Sequence, residues 1–262
     1  MSDRKISQRR HAPKVDSLAE RVLMTLADER ANALSDARPD VLFSLCSAIR
    51  DYDPSARDVW RAEAKMLGLT DEEICDVYIP EAARVMGDQW CKDEASFADV
   101  TIAVARLQGM LRDLMPPAAQ ANANKVVAGP SILMVVLERD YHTLGAGVAA
   151  AQLRRSGVSC RLLMDKPVKV VAEEVSKSSY DAIMISASDG ERLEHIRECI
   201  LNIRKTAKQH VPIIVGGSLL SQKLDIKALT GADHVESDPK RALQKCGLIV
   251  SNQGAPRPRK KV

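Results

Sequence analysis

The chain has 262 residues, of which 45% are hydrophobic, 28% charged and 3% aromatic, enough for one large or two ordinary domains with a real core. No apolar run approaches the roughly 20 residues of a membrane span, and the basic opening MSDRKISQRRHAPK has no apolar stretch behind it, so neither a span nor a secretory signal is expected and the reading is cytoplasmic. Residues 1–14 hold five bases and one acid and residues 254–262 four bases, so the net +3 leaves a body of −5, which argues against a main surface that reads DNA.

In chain order, residues 1–16 read as a basic disordered tail. Helices follow. Ser17 is placed to cap one whose Leu18, Val22 and Leu26 recur at four-residue spacing, and Pro39, Asp53-Pro54 and Gly68 punctuate others. Thr70 with Glu73 makes a capping box for a helix carrying Ile74, Tyr78, Ala82 and Val85, which Pro80 should kink. The best-marked stripe is Phe97, Val100, Val104, Leu107, Leu111 and Leu114, begun by Ser96 or Asp93 and stopped by Pro116. Its narrow apolar face predicts a bundle helix, and residues 17–115 read as a helical bundle. Residues 116–129, made mostly of Pro, Ala, Asn and Gln, read as a linker.

The second half, 130–253, alternates strand and helix, and 254–262 forms a second basic tail. Strand candidates are Ser131–Leu137, Cys160–Met164, Ala182–Ile185, Ile213–Val215 and His234–Glu236. Helix patterns lie between and after them at Gly147–Arg155, Val168–Ser176, Arg192–Lys208, Leu219–Leu229 and Pro239–Cys246. Strands apolar on both faces, separated by helices, mean a parallel sheet covered on both sides. The fold class expected is therefore α/β: a helical bundle followed by a flavodoxin-like doubly wound sheet of order 2-1-3-4-5.

In such a sheet ligands bind outside the carboxyl ends of the strands. There the sequence places Glu138 to Gly145 after the first strand, Ser186-Ala187-Ser188 after the third and Gly216-Gly217-Ser218 after the fourth. His142 stands in the first of these loops with Asp140 two residues before it. A metal-binding histidine gives its other ring N–H to such a carboxylate, but the pair alone also fits a surface residue beside a capping aspartate. Gly145-Ala-Gly147-Val-Ala-Ala150 mimics a dinucleotide fingerprint. It begins too far behind the strand for a phosphate turn, so these glycines read as close helix–sheet packing. Gly216-Gly217 fits either a turn needing positive φ or a channel left by missing Cβ atoms. The six cysteines (Cys46, Cys75, Cys91, Cys160, Cys199, Cys246) contain no Cys-x-x-Cys pair and read as reduced thiols, Cys91 as a small buried hydrophobe.

Together, Asp140-x-His142-x-x-Gly145, Ser186 and Gly216-Gly217 resemble the signature of cobalamin-binding domains, over residues 130 to about 246. The helical half, notably Gly87-Asp88-Gln89-Trp90 and Ser96 to Leu111, resembles the bundle that precedes such domains. The resemblance implies a cobalamin cofactor whose lower cobalt ligand is His142, with Asp140 behind it. Gly145 would permit the loop geometry, Ser186 would contact the displaced nucleotide tail, and Gly216 and Gly217 would line its slot. Trp90 would cover the upper corrin face, unless it is a bundle-core tryptophan. Ser188 stands where many relatives have leucine, a change expected to alter tail packing and not ligation.

Light sensors of this superfamily that bind DNA carry a Glu-His pair ten and eleven residues after the tryptophan. Val100 and Thr101 stand there instead, so a hydroxo or aquo form is expected over adenosyl. The chain has only about 40 residues where those sensors carry a helix-turn-helix domain, too few for one. As a whole the chain resembles the AerR/PpaA antirepressors of photosynthetic bacteria. That implies a non-enzymatic, light- or oxygen-responsive regulator of photosynthesis genes acting through a CrtJ/PpsR-type repressor, with little or no direct sequence-specific DNA binding and no membrane contact. The alternatives are a corrinoid methyl carrier and a sensor of haem or another tetrapyrrole; the complete Asp-x-His-x-x-Gly favours corrin over haem.

Overall fold

The computed structural model describes residues 37–115, 129–188 and 192–248. The proposed helix at Ser17, both tails and nearly all of the linker lie outside them.

The first helices are α1 (Pro39–Ala48) and α2 (Ser55–Met66). Trp60 of α2 is buried, its indole N–H donating to Val41 O and Ser44 Oγ of α1, so the ring enters the core with its polar edge satisfied. The expected capping box is present: Thr70 accepts from the Glu73 backbone N–H while Glu73 accepts from that of Thr70. It opens α3, a run of Asp71–Glu73, a π-helical turn Ile74–Tyr78 and Ile79–Cys91. Pro80 lies two residues past the end of the π turn, and the wider turn accommodates the residue that has no N–H to give. Next comes α4 (Phe97–Leu114), opened by Ser96 with Asp99 in a second capping box. Ala103, Leu107, Met110, Leu111 and Leu114 are its buried face, while Phe97 at the head of the expected stripe is exposed.

The sheet is parallel, five-stranded and ordered β2-β1-β3-β4-β5, as expected: β1 (Ser131–Leu137), β2 (Ser159–Lys166), β3 (Ala182–Ser186), β4 (Ile213–Gly216) and β5 (His234–Val235). The central β1 and β3 are apolar on both faces because both faces are covered. The covering helices are α5 (Thr143–Arg155), α6 (Val168–Lys177), α7 (Leu193–Thr206), α8 (Ile226–Thr230) and α9 (Pro239–Lys245). The single helix expected over Leu219–Leu229 is instead a 3-10 turn, Ser218–Ser221, and the short α8, whose start is capped by the Asp225 side chain.

One core lies beneath the sheet under α6 and α7; another lies between the sheet, α5 and α9. The third core is the bundle's own, and it contains Leu144, Val148 and Ala151 of α5. The bundle is thus closed by the helix that follows β1. An Arg155–Asp76 ion pair joins the end of α5 to the π turn of α3. Gly147, expected to serve helix–sheet packing, instead faces the bundle: a Cβ there would stand 3.3 Å from Leu111 Cδ2. Among the described residues no helix is long and apolar enough to cross a membrane. All six cysteines are free, and Cys91 is exposed, not buried as its neighbourhood in the sequence led us to expect.

Candidate functional site

The turn after β1 is held from three sides. Arg139 adopts a positive φ of 64° and its backbone N–H donates to Asp165 Oδ1, 3.2 Å away. The Glu138 N–H extends the pairing to Lys166 O, and the Arg192 guanidinium donates to the Glu138 and Arg139 carbonyls. A non-glycine residue with positive φ persists only where its surroundings over-determine it. Here strand end, carboxylate and guanidinium do so, and they fix the direction in which residues 140–142 leave the sheet.

Asp140 is the buried member of that loop, its side chain 4% exposed, whereas the His142 side chain is 76% exposed. The carboxylate accepts from the His142 backbone N–H at 3.1 Å, and its Oδ1 lies 3.5 Å from His142 Nδ1. It also accepts from the Ser188 N–H at 3.1 Å and from the Ser188 hydroxyl at 2.8 Å. Burial pushes the carboxyl pKa up, but the bonds from His142 and Ser188 outweigh it and hold the group down at about 2. An ionised acceptor therefore backs an outward-facing imidazole. A proton kept on Nδ1 by that acceptor leaves the ring's lone pair on Nε2, the arrangement of a ligating histidine.

Ser188 corrects the expectation that its exchange for leucine touches only tail packing. Its hydroxyl bonds the same carboxylate oxygen that faces the His142 ring. The sequence carries no local sign of this contact, since 48 residues separate the two partners.

The other candidates fall as follows. Ser186 ends β3, half-buried, in register between Val136 and Gly216. Gly145 is not in the loop but in the first turn of α5, without a positive φ, and among the described residues a Cβ there would meet nothing within 4 Å. Its missing side chain leaves open surface beside His142. The glycine pair answers to backbone crowding. Gly217 has φ 101° and a Cβ on it would fall 2.3 Å from Ala187 O, while one on Gly216 would fall 2.6 Å from Glu236 O. The space of the missing Cβ atoms is taken by neighbouring backbone: Gly217 fits the turn with positive φ, and Gly216, without a positive φ, answers to the close approach of the Glu236 backbone.

Trp90, at the end of α3, is 50% exposed and lies against Phe97, itself 70% exposed, with ring centroids 6.2 Å apart. It is not a bundle-core tryptophan; that place belongs to Trp60. The position of the aromatic pair follows from α4. Gln108 Nε2 donates to Thr143 Oγ1 at 2.9 Å, and one turn on Leu111 meets Gly147. The two helices therefore advance together from the end that carries His142. Phe97 precedes Gln108 by eleven residues on the same face. At 1.5 Å per residue it lies about 16 Å beyond the Gln108–Thr143 bond, past the start of α5. Thr101, also exposed, shares that face, its hydroxyl donating to Phe97 O at 2.7 Å.

An exposed imidazole on an ionised backing, open surface at Gly145 and an overhanging aromatic pair fit a large planar cofactor with a metal centre. Residues 130–246 match the family described as B12 binding domain. The chain is 33% identical over 178 residues to the "Uncharacterized 20.5 kDa protein in bchF-crtJ intergenic region" of Rhodobacter capsulatus, a match spanning 68% of this chain and 92% of that protein. The chain belongs to the AerR/PpaA-type family of B12-binding-domain proteins. Among solved structures, the monomethylamine corrinoid protein of Methanosarcina barkeri overlays with a TM-score of 0.60 at 15% identity, over 79% of this chain and 97% of that one. That likeness concerns the fold alone. A cobalamin-binding protein of Desulfitobacterium hafniense has the same coverage and 17% identity at a TM-score of 0.38. Within this AerR/PpaA-type protein, His142, Asp140, Gly145 and Ser186 all lie inside the matched B12 domain, and the structure puts the first two in contact.

Proposed function

We propose that this protein is a cobalamin-binding, light-responsive regulator of photosynthesis gene expression that acts as an antirepressor on a CrtJ/PpsR-type transcription factor. The observation that carries the cofactor half is the ionised, buried Asp140 behind the exposed His142, inside a matched B12 domain. The regulatory half is supported by the relationship to a protein encoded between bchF and crtJ. When bound, cobalamin supplies a cobalt centre with an exchangeable upper ligand and, in alkyl forms, a cobalt–carbon bond that light breaks.

The chain's own residues do the rest. His142 would hold the cobalt and Asp140 would orient the imidazole ring. Trp90 and Phe97 would cover the bound cofactor, and Val100 and Thr101 beside them offer no imidazole, which supports a hydroxo or aquo form as the functional one. A change at the upper face reaches the bundle through α4, which touches the histidine loop at Thr143. It shifts the bundle's packing only by as much as the ligand states differ in affinity for the two arrangements.

The test is repressor binding by the full chain loaded with an alkylcobalamin in the dark, the same sample after illumination, and the hydroxocobalamin form. The expected result is that illuminated and hydroxo samples agree with each other and differ from the dark alkyl sample. Equal affinity in all three, with turnover when a methyl donor and methyltransferase are supplied, would replace this reading by the methyl-carrier one.

A further inference from the structure

We infer that the bundle carries a second site, for a small oxyanion, anchored by Arg57. A cavity of about 260 Å³ lies between the start of α2 and the second half of α4, lined by Arg57, Arg61 and Arg106 together with Asp58, Asp113 and the apolar Met110. Its volume is near the lower end of small-ligand pockets, which run from about 300 Å³. It suits a phosphate- or carboxylate-sized group.

The pointer to an anion is Arg57. Its Nη1 is buried and, among the described residues, has no hydrogen-bond partner. A guanidinium stays charged at any ordinary pH, so it cannot escape burial by losing its proton, as a lysine can. A buried donor on a charged group without an acceptor is among the costlier arrangements in a protein. Two nearby carboxylates line the cavity, yet neither Asp58 nor Asp113 takes this nitrogen. The other two arginines are engaged: Arg106 donates to Ile49 O at 2.7 Å and Arg61 lies 3.8 Å from Asp71. Both still line the space. Arg57 sits in the first turn of α2, where the Asp53 carboxylate accepts from the Ser55 N–H and already answers the helix dipole and part of the Arg57 charge. An oxyanion in the cavity would answer the unpaired donor nitrogen. A guanidinium fork matches phosphate or carboxylate oxygens in pairs.

The chemistry is shared by a free oxyanion and by the acidic side chain of a peptide. The experiment therefore has two arms: thermal unfolding of the full chain titrated with inorganic phosphate, and with a short glutamate-rich peptide, each against sodium chloride of equal ionic strength. The inference predicts a saturable rise in Tm in at least one arm. It also predicts that R57M loses that rise while melting in chloride no lower than wild type, because the variant removes a buried donor nitrogen that has no acceptor among the described residues. A second variant, D58N, lowers the negative charge at the cavity and should saturate at lower anion concentration. No saturable rise in either arm, an equal rise in R57M, or a lower R57M melting point in chloride with no anion dependence would each overturn the site and make Arg57 a packing residue. Phosphate binding is measured without cobalamin, so its failure is separable from failure of the cofactor reading.

Discussion

Replacing Asp140 with asparagine keeps the shape of the side chain and one acceptor oxygen but removes the charge that His142 and Ser188 share. The carboxyl pKa is about 2 in the fold and near 3.9 in an unfolded chain, a difference worth roughly 2.5 kcal/mol at neutral pH. The sign follows from the direction. The folded state holds the pKa down, so the contribution is complete above about pH 5 and is lost as pH falls from about 4 towards 2. Asp140 is buried, so solvent screens little of it. Urea denaturation of wild type and D140N, each without cobalamin, should give a stability gap of about 2–3 kcal/mol at pH 7 that narrows steadily below pH 5. A gap that is absent at pH 7, or present and unchanged down to pH 3, would refute the assignment of Asp140 as an ionised clamp.

Further outcomes follow from the same contacts. Gly217→Ala drives a Cβ against Ala187 backbone at positive φ and should cost more than about 3 kcal/mol or prevent folding. Gly145→Ala, in a helix with open space, should gain about 0.5–1 kcal/mol of stability while weakening hydroxocobalamin binding, both readable on one purified protein. Leu111→Ala should cost about 2–5 kcal/mol and leave a single unfolding transition by circular dichroism and tryptophan fluorescence alike, because Leu111 belongs to the core shared by bundle and α5. Ser188→Ala should leave the fold intact but raise the Asp140 carboxyl pKa, shifting the acid limb of the stability profile upward in pH.

The strand rhythm, the sheet order and both capping boxed helices' starts at Thr70 and Ser96 lay open to sequence reasoning, because continuous apolar runs and cap residues are local signals. So was the meeting of His142 and Asp140, two residues apart. What escaped was long-range. Ser188 reaches Asp140 only once β1 and β3 pair, and the Arg57 cavity exists only when α2 and α4 pack. Phe97 continues an apolar stripe by spacing yet lies beyond the helix–helix contact, where it rests against Trp90 and stays exposed. The start of α5 was placed four residues late. Gly145 and Gly147 are poor helix formers, and His142 at its N-cap makes no side-chain capping bond to mark the turn.

The central claim, an imidazole of this chain bound to cobalt, is tested most directly by electron paramagnetic resonance of the cob(II)alamin complex made with ordinary protein and with protein uniformly labelled in nitrogen-15. The account predicts that the axial nitrogen splitting changes from a triplet to a doublet on labelling and disappears in His142→Ala. A triplet that survives labelling would mean that the cofactor's own base, not His142, holds the cobalt, and would contradict it.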